Sequence, residues 1–287
     1  MSHVHQGKLG NGIKGGLIVA LVSCIAIIAV ISTSKVHTYS PDVQQKAQFN
    51  ALNAAIELFN NEFDGYPPSS PNDPTGQPYG AVLKLAEALV GPDLLGFHSS
   101  SIFRRDGLDA SGTLLYPHPE DLSITPPQSN LIARKGPFLQ TENANARRLV
   151  DIYGKGKTDP FPEDTFVLCD IYERRRPSGE KTGMPILYYR ADSLSSAHDV
   201  ANPDNPQNIY HYQDNQALLA LGVPGKPGET HPLADPKRFY LNTQSLLVSS
   251  TPRPYRADTF ILIRAGLDGL YGTADDICNF EWKYRKN

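Results

Sequence analysis

The sequence has no acidic residue before Asp42, and it lacks the motifs that mark common catalytic and zinc sites. It contains no Gly-x-Ser-x-Gly elbow and no His-x-x-x-His pair. Gly154-Lys-Gly-Lys-Thr158 lacks the first glycine of a phosphate-binding loop, because Asp151 occupies that position. The sequence therefore offers no catalytic constellation, and we expect a protein that is not an enzyme.

Charge is unevenly distributed along the 287 residues. Lys8, Lys14 and Lys35 are the only Lys or Arg residues before Asp42, and the rest of the chain has 30 acidic residues against 24 Lys and Arg. The formal charge is −3 for the whole chain and −6 from Asp42 onward. An acidic domain is a poor match for a phosphate backbone, which argues against nucleic acid as a partner.

An uncharged apolar segment covers residues 15–33. As a helix it would be about 28 Å long, which approximately matches the hydrocarbon core of a bilayer, about 30 Å. Lys8 and Lys14 precede it, so the positive-inside rule places the N-terminus in the cytoplasm and the rest of the chain on the other side. A cleaved secretory signal is the alternative, with small residues at Ser32 and Ser34 before a cut.

A second helical pattern follows the apolar segment. From Val43 to Phe63, apolar residues recur at spacings of 3, 4, 3 and 4, which is one stripe of an amphipathic helix: Phe49, Leu52, Ile56, Phe59 and Phe63. Gly65 is expected to end this helix, and Pro67 prevents its resumption. Pro41 either kinks one long helix or lies at the first position of a new helix capped by Ser40. Both alternatives lead the anchor directly into the amphipathic helix.

Four later runs are rich in β-branched and aromatic residues and predict an antiparallel sheet of about four strands: 165–172, 185–190, 259–264 and 278–283. Residues 66–130 are rich in Pro, Ser and Gly, with one predicted helix at Ala81–Val90. Residues 192–235 are interpreted as a second insertion. The predicted class is α+β: a long N-terminal helix, half transmembrane and half amphipathic, packed on a small antiparallel sheet with long loop insertions.

Three stretches carry a resemblance to a known family. They are the basic leader ending in Lys14-Gly15-Gly16, the helix end followed by Gly65-Tyr66-Pro67, and the Gly- and Asp-rich segment 265–279 after a strand. Together they resemble the type IV pilin and pseudopilin family, most closely the major pseudopilin of type II secretion systems.

The resemblance implies a processed, single-pass protein of the inner membrane. Residues 1–16 would be a leader that prepilin peptidase removes between Gly16 and Leu17, residues 17–64 the N-terminal helix, and residues 65–287 a periplasmic domain with insertions. In the family, the fifth mature residue is usually Glu, which is thought to pair with the N-terminal amine of a neighbouring subunit. A cut after Gly16 places Leu21 there, and a cut after Gly15 would place Ala20 there, so neither cut gives an acidic residue.

The function that the resemblance implies is non-enzymatic. The chain would assemble with its own copies and other pseudopilins into a periplasmic filament, on an inner-membrane assembly platform. A type IV pilin of a surface fibre is one alternative. A membrane-tethered extracytoplasmic enzyme or binding protein is another.

Three aspartates, Asp268, Asp275 and Asp276, lie within nine residues and are interleaved with glycines. Oxygen ligands on a flexible loop suit Ca²⁺, although the spacing is not that of an EF-hand. The same pattern is also typical of a solvated turn. The corresponding loop of pseudopilins often holds calcium, so the resemblance implies a structural Ca²⁺ site at these three residues.

Of the three cysteines, Cys24 falls within the apolar segment, where it acts as a small apolar residue. Cys169 and Cys278 both lie in strand-like runs on the non-cytoplasmic side, where disulfides persist. A disulfide between them is a hypothesis that the sequence leaves open, because pairing depends on a geometry that sequence does not give.

Overall fold

The computed structural model describes residues 43–117, 131–245 and 252–282. The chain divides into two compact units, 1–46 and 47–287, and the described residues of the first unit are helical. The helices are α1 (residues 43–63), α2 (Ala81–Val90), α3 (Thr141–Ala144), α4 (Leu149–Tyr153), α5 (Gln216–Leu219) and α6 (Pro236–Thr243).

The strands are short and antiparallel. They are β1 (Phe97–His98), β2 (Arg134–Lys135), β3 (Ala146–Arg148), β4 (Phe166–Leu168), β5 (Arg174–Arg175), β6 (Lys181–Thr182), β7 (Leu187–Arg190), β8 (Phe260–Arg264) and β9 (Ile277–Cys278). The first six form three two-stranded sheets, and the last three form one sheet in the order β7-β8-β9. The described part of the chain thus combines helices with small antiparallel sheets.

The central sheet differs from the predicted one at the position of β4. This strand pairs with β3, and only an isolated bridge between Cys169 and Pro185 connects its end to the segment before β7. Proline has no backbone N–H to donate, which limits the ladder at that point. The prediction of four strands in one sheet is therefore wrong for the described residues, where three strands form the ladder.

The last strand is also shorter than predicted, because a side chain takes over its pairing. The Asn279 side chain accepts a hydrogen bond from the backbone N–H of Leu262 (2.9 Å) and donates one to the carbonyl of Phe260 (3.3 Å). These contacts replace a regular backbone ladder after Cys278, so β9 ends there.

Alternate residues of β7 and β8 enter two separate cores. Tyr188 and Leu262 lie opposite each other and belong to the core that contains α1 and α2. Tyr189 and Ile261 point to the other face and belong to the second core. Both faces of the sheet are covered, which explains why β8 is apolar along nearly its whole length.

The predicted stripe of α1 forms the first core together with α2. Four of its five apolar residues are buried, namely Phe49, Leu52, Ile56 and Phe59. The helix ends at residue 63, and the left-handed residue that follows is Asp64 (φ 56°), not the expected Gly65. Aspartate tolerates this conformation better than most residues, so the glycine is not needed for the stop.

The Gly-Tyr-Pro turn after α1 is fastened to β7. The Tyr188 hydroxyl donates to the carbonyl of Pro67 (2.8 Å), and the Arg190 guanidinium donates to the carbonyl of Tyr66 (3.2 Å). The turn therefore fixes the end of α1 on the sheet.

Arg264 is fully buried at the end of β8, with its guanidinium 3.7 Å from the centre of the Phe49 ring. Its three side-chain nitrogens have no hydrogen-bond partner among the described residues. Burial lowers the pKa of Arg264 to about 10, opposed by the nearby Asp170 carboxylate. The contact with Phe49 is a cation–π interaction that joins the sheet to α1.

Helix α2 covers the same residues as predicted, Ala81–Val90, and it is buried along its whole length. Its Glu87 carboxylate accepts hydrogen bonds from the hydroxyls of Tyr79 (2.7 Å), Ser101 and Tyr116 (3.1 Å). A buried carboxylate needs such partners. This network attaches the first insertion to the core.

The segment interpreted as a second insertion, 192–235, contributes to the second core. It contains α5 and two 3-10 turns, Tyr212–Asn215 and Pro232–Ala234. Its buried apolar residues are Ile209, Tyr210, Leu218, Leu219, Val223 and Leu233. The segment covers the face of the sheet opposite α1, together with Val82 and Leu83 of α2.

We expect an Ile56→Ala substitution to destabilise the domain by about 2 to 5 kcal/mol, because Ile56 is fully buried between α1 and the core. Leu58→Ala on the same helix is the matched control, since Leu58 is 53% exposed and should cost much less. Chemical denaturation of both variants, followed by the fluorescence of the single tryptophan, Trp282, measures the difference. Equal stability of the two variants would contradict the described docking of α1.

A pH dependence follows from Asp170, whose pKa burial raises to about 7. An exposed aspartate titrates near pH 3.9. Between about pH 4 and pH 7, folding is therefore accompanied by the uptake of a proton by Asp170. The contribution of this protonation to stability is complete below about pH 4 and is lost as the pH rises through about 7. The loss should amount to a few kcal/mol.

The test compares unfolding free energies at pH 5 and pH 8. Asp170→Asn should reduce the pH dependence without abolishing it, because burial also raises the pKa of Asp214 and of Asp276, each to about 8. Asp164→Asn, at an exposed position, should leave the pH dependence unchanged. The same pH profile in Asp170→Asn and in the unsubstituted protein would show that Asp170 does not contribute.

Candidate functional site

The candidate site is the aspartate loop, residues 265–276, which connects β8 to β9. Two glycines give the loop its path. Gly266 has a φ of 61°, and a side chain there would collide with the backbone carbonyl of Asp275. Gly272 has a φ of 90°, and its Cβ would lie 2.6 Å from the backbone nitrogen of Leu233. Glycine is required at both points, since each combines a left-handed conformation with close backbone approach.

The structure brings the three predicted aspartates together through hydrogen bonds within the loop. Asp275 accepts a hydrogen bond from the backbone N–H of Asp268 (2.9 Å), and Asp268 accepts one from that of Leu270 (2.7 Å). Asp276 accepts from the backbone N–H groups of Gly272 (2.7 Å) and Thr273 (3.0 Å). The loop is thus ordered by its own carboxylates.

The three carboxyl groups differ in their surroundings: Asp268 and Asp275 lie close together, and Asp276 is bound by the backbone of the loop. Burial, followed by the neighbouring Asp275 carboxyl group, raises the pKa of Asp268. Burial also acts to raise the pKa of Asp275, but hydrogen bonds from Thr273 and Asp268 outweigh it and lower that pKa. Burial raises the pKa of Asp276 to about 8. The proximity of the Asp268 and Asp275 carboxyl groups marks the place where a cation could bind.

Only part of the predicted calcium site fits this arrangement. The paired oxygens of Asp268 and Asp275 have the chemistry that Ca²⁺ prefers. Both oxygens of Asp276 are engaged by backbone N–H groups, so this residue braces the loop. In the described segments, no three His, Cys, Asp or Glu side chains are arranged to hold a metal ion. Calcium binding remains a prediction, with Asp268 and Asp275 as its protein carboxylates.

Distant residues fasten the aspartate loop to the rest of the domain. The buried Tyr271 donates its hydroxyl proton to the carbonyl of Pro185, and its backbone N–H contacts Nδ1 of His231 (3.3 Å). The indole of Trp282 donates to the carbonyl of Thr273 (2.7 Å), and Arg174 donates to that of Asp268 (3.1 Å). The sequence reasoning missed these residues, because no local pattern connects them to the loop.

In the part of the chain that the structure describes, Cys169 and Cys278 are both free thiols, which contradicts the hypothesis of a disulfide between them. Cys169 lies beside Pro185, before β7, and Cys278 lies on β9 beyond β8. Three strand spacings separate them, about 14 Å, whereas a disulfide needs Cα atoms about 4.4 to 6.8 Å apart. Burial raises the pKa of both thiols well above the ordinary value.

The predicted processing site, Gly16 and Leu17, and the predicted span 15–33 lie outside the described residues. Within the described ranges, no helix is both long enough and apolar enough to cross a membrane.

Comparisons with known proteins give no relative. No family model, no curated protein and no solved structure matches the chain.

Proposed function

We propose that the chain is a non-enzymatic, pseudopilin-like subunit that assembles through its N-terminal helix into a periplasmic filament of a type II secretion system. The observation that carries the proposal is the two-sided character of α1. One face of the helix is buried on α2 and the sheet, and the opposite face is exposed, with an uncharged stripe along its centre and charged residues, Lys46 and Glu62, beside it.

The central stripe of the exposed face of α1 consists of uncharged residues at helical spacing, two of them alanines: Ala47, Asn50, Ala54, Leu58 and Asn61. Small residues allow the backbones of neighbouring helices to approach closely, as in helix associations within membranes. A subunit that packs its helix against copies of the same helix needs such a face. The apolar segment 15–33 would continue these contacts within the bilayer.

The proposed mechanism is mechanical. Prepilin peptidase would cut between Gly16 and Leu17, and an inner-membrane platform would add subunits that extend the filament. Leu21 at the fifth mature position leaves no carboxylate to pair with a neighbouring N-terminal amine. Cohesion would therefore rest on helix packing, without that ion pair.

Calcium has a structural role in this proposal. Asp268 and Asp275 would hold the ion, while Asp276 braces the loop from its own backbone. The ion would neutralise two close carboxylates and fasten the loop between β8 and β9. Three of the loop's contacts to the domain, made by Arg174, His231 and Trp282, do not depend on the ion.

Cross-linking tests the proposed helix interface. An Ala54→Cys variant of the full chain should give a ladder of covalent oligomers with a short bis-maleimide, in cells that contain prepilin peptidase and the assembly platform. Leu194→Cys is the control for exposure, since Leu194 is 92% exposed but lies away from α1. The unsubstituted chain controls for its native cysteines.

A ladder for Leu194→Cys and none for Ala54→Cys would contradict assembly through α1. N-terminal sequencing of the same material tests processing, for which we expect a start at Leu17. A start at Met1 would refute cleavage.

The calcium prediction is tested by thermal melting in calcium and in chelator. At a calcium concentration about 100 times the Kd, the midpoint should rise by about 5 to 10 °C, because the ion binds only the folded state. Asp268→Asn should abolish the rise. Asp109→Asn is a matched control, because Asp109 also accepts hydrogen bonds from its own glycine-containing turn, from Ser111 (2.8 Å) and Thr113 (2.8 Å). An unchanged midpoint for the unsubstituted protein would remove calcium from the proposal.

A further inference from the structure

A cleft of about 560 Å³ opens between two glycine- and lysine-containing loops, at a distance in sequence from the aspartate loop. Its walls are residues 153–157 and 221–229, with Pro177 at one side. We call it the lysine cleft. Its volume lies within the range of about 300 to 1,000 Å³ that small-molecule sites occupy.

Both walls are fixed by the fold. Gly154 ends α4 with a φ of 92°, and its backbone N–H donates to the carbonyl of Val150 (2.9 Å). In the opposite wall, the N–H of Val223 donates to the carbonyl of Glu229 (3.1 Å), and that of Lys226 donates to the carbonyl of Val223 (3.0 Å). A cleft between two such closed loops is formed before any ligand arrives.

The lysine cleft has a net positive charge, whereas the whole chain has a net negative charge. Its charged lining residues are Lys155, Lys157, Lys226 and Glu229, and Lys226 pairs with Glu229 at 3.0 Å. Neither Lys155 nor Lys157 has an ion pair with any described residue. The Glu163 carboxylate accepts from the backbone N–H of Gly156 but does not line the cleft. Two unpaired cations on one side of a cleft attract an anion.

The rest of the lining is largely apolar. Tyr153 and Val223 are buried, and Leu221 and several prolines complete the surface. A nucleotide is a poor fit, because the segment 154–158 leads into a turn and not into the helix that a phosphate-binding loop requires. The lining suits a small molecule with an apolar body and a single anionic group.

We propose that the lysine cleft binds a small amphipathic carboxylate, with its apolar body against Tyr153, Leu221 and Val223 and its carboxylate at Lys155 and Lys157. This site is independent of the aspartate loop, and the inference does not rest on the proposed function. It also gives a role to the Gly154–Thr158 segment, which is not a complete phosphate-binding loop.

Protection of lysines from an amine-acylating reagent tests the site in the full chain, with peptide mass spectrometry as the readout. The probe is 4-phenylbutyrate, compared with its neutral amide and with acetate, which lacks the apolar body. We expect 4-phenylbutyrate to protect Lys155 and Lys157, with Lys135 and Lys181 as unprotected controls outside the cleft. Equal protection by the amide would overturn the proposal, because it would show that apolar contact alone is sufficient. Equal protection by acetate would also overturn it, because it would show that any anion is sufficient.

A double variant tests the site with a third lysine, Lys226, as the residue whose acylation is measured. In Lys155→Gln/Lys157→Gln, protection of Lys226 by 4-phenylbutyrate should require about tenfold more probe, the equivalent of about 1.4 kcal/mol. Lys181→Gln, at an exposed position on β6, is the matched control and should leave the affinity unchanged. The same affinity in the double variant and the control would overturn the proposal, as would absence of protection in the unsubstituted chain.

Discussion

The burial of one face of α1 against α2 and the β7–β8 sheet positions most of the other features of the described domain. It orders the first core, and it places Phe49 where the guanidinium of Arg264 lies on its ring. Fully burying an apolar side chain contributes about 1.5 to 3 kcal/mol, so the four buried residues of the stripe outweigh any single polar contact. The orientation of α1 in turn decides which of its faces remains exposed for a partner.

Local patterns in the sequence predict the elements that depend on their own residues. The 3-4-3-4 spacing predicts α1, and the apolar run at Ala81–Val90 predicts α2 with the bounds that the structure has. Strands β7 and β8 fall within the predicted runs, because continuous β-branched and aromatic residues mark strands that are buried on both faces. In these segments, the secondary structure that the local sequence favours is also the one that buries their apolar residues.

The departures arise where a single side chain or a missing donor changes the pairing. Pro185 limits the contact between β4 and β7, and the Asn279 amide ends β9. Asp64 adopts the left-handed conformation that the glycine rule assigned to Gly65. In the aspartate loop, the clustering of the three carboxylates follows from their proximity in sequence, but the separate role of Asp276 does not. That role depends on the loop geometry that brings the backbone N–H groups of Gly272 and Thr273 to its carboxylate, which no local pattern contains.

The central claim is that this chain is a filament subunit, and the most direct measurement is its presence in filaments sheared from cells that overproduce it together with the secretion machinery. Sheared material is collected by ultracentrifugation and probed for this chain. We expect the chain to sediment with the filaments. A chain that stays in the membrane fraction, while other pilin-like subunits of the same cells are sheared off, would contradict it.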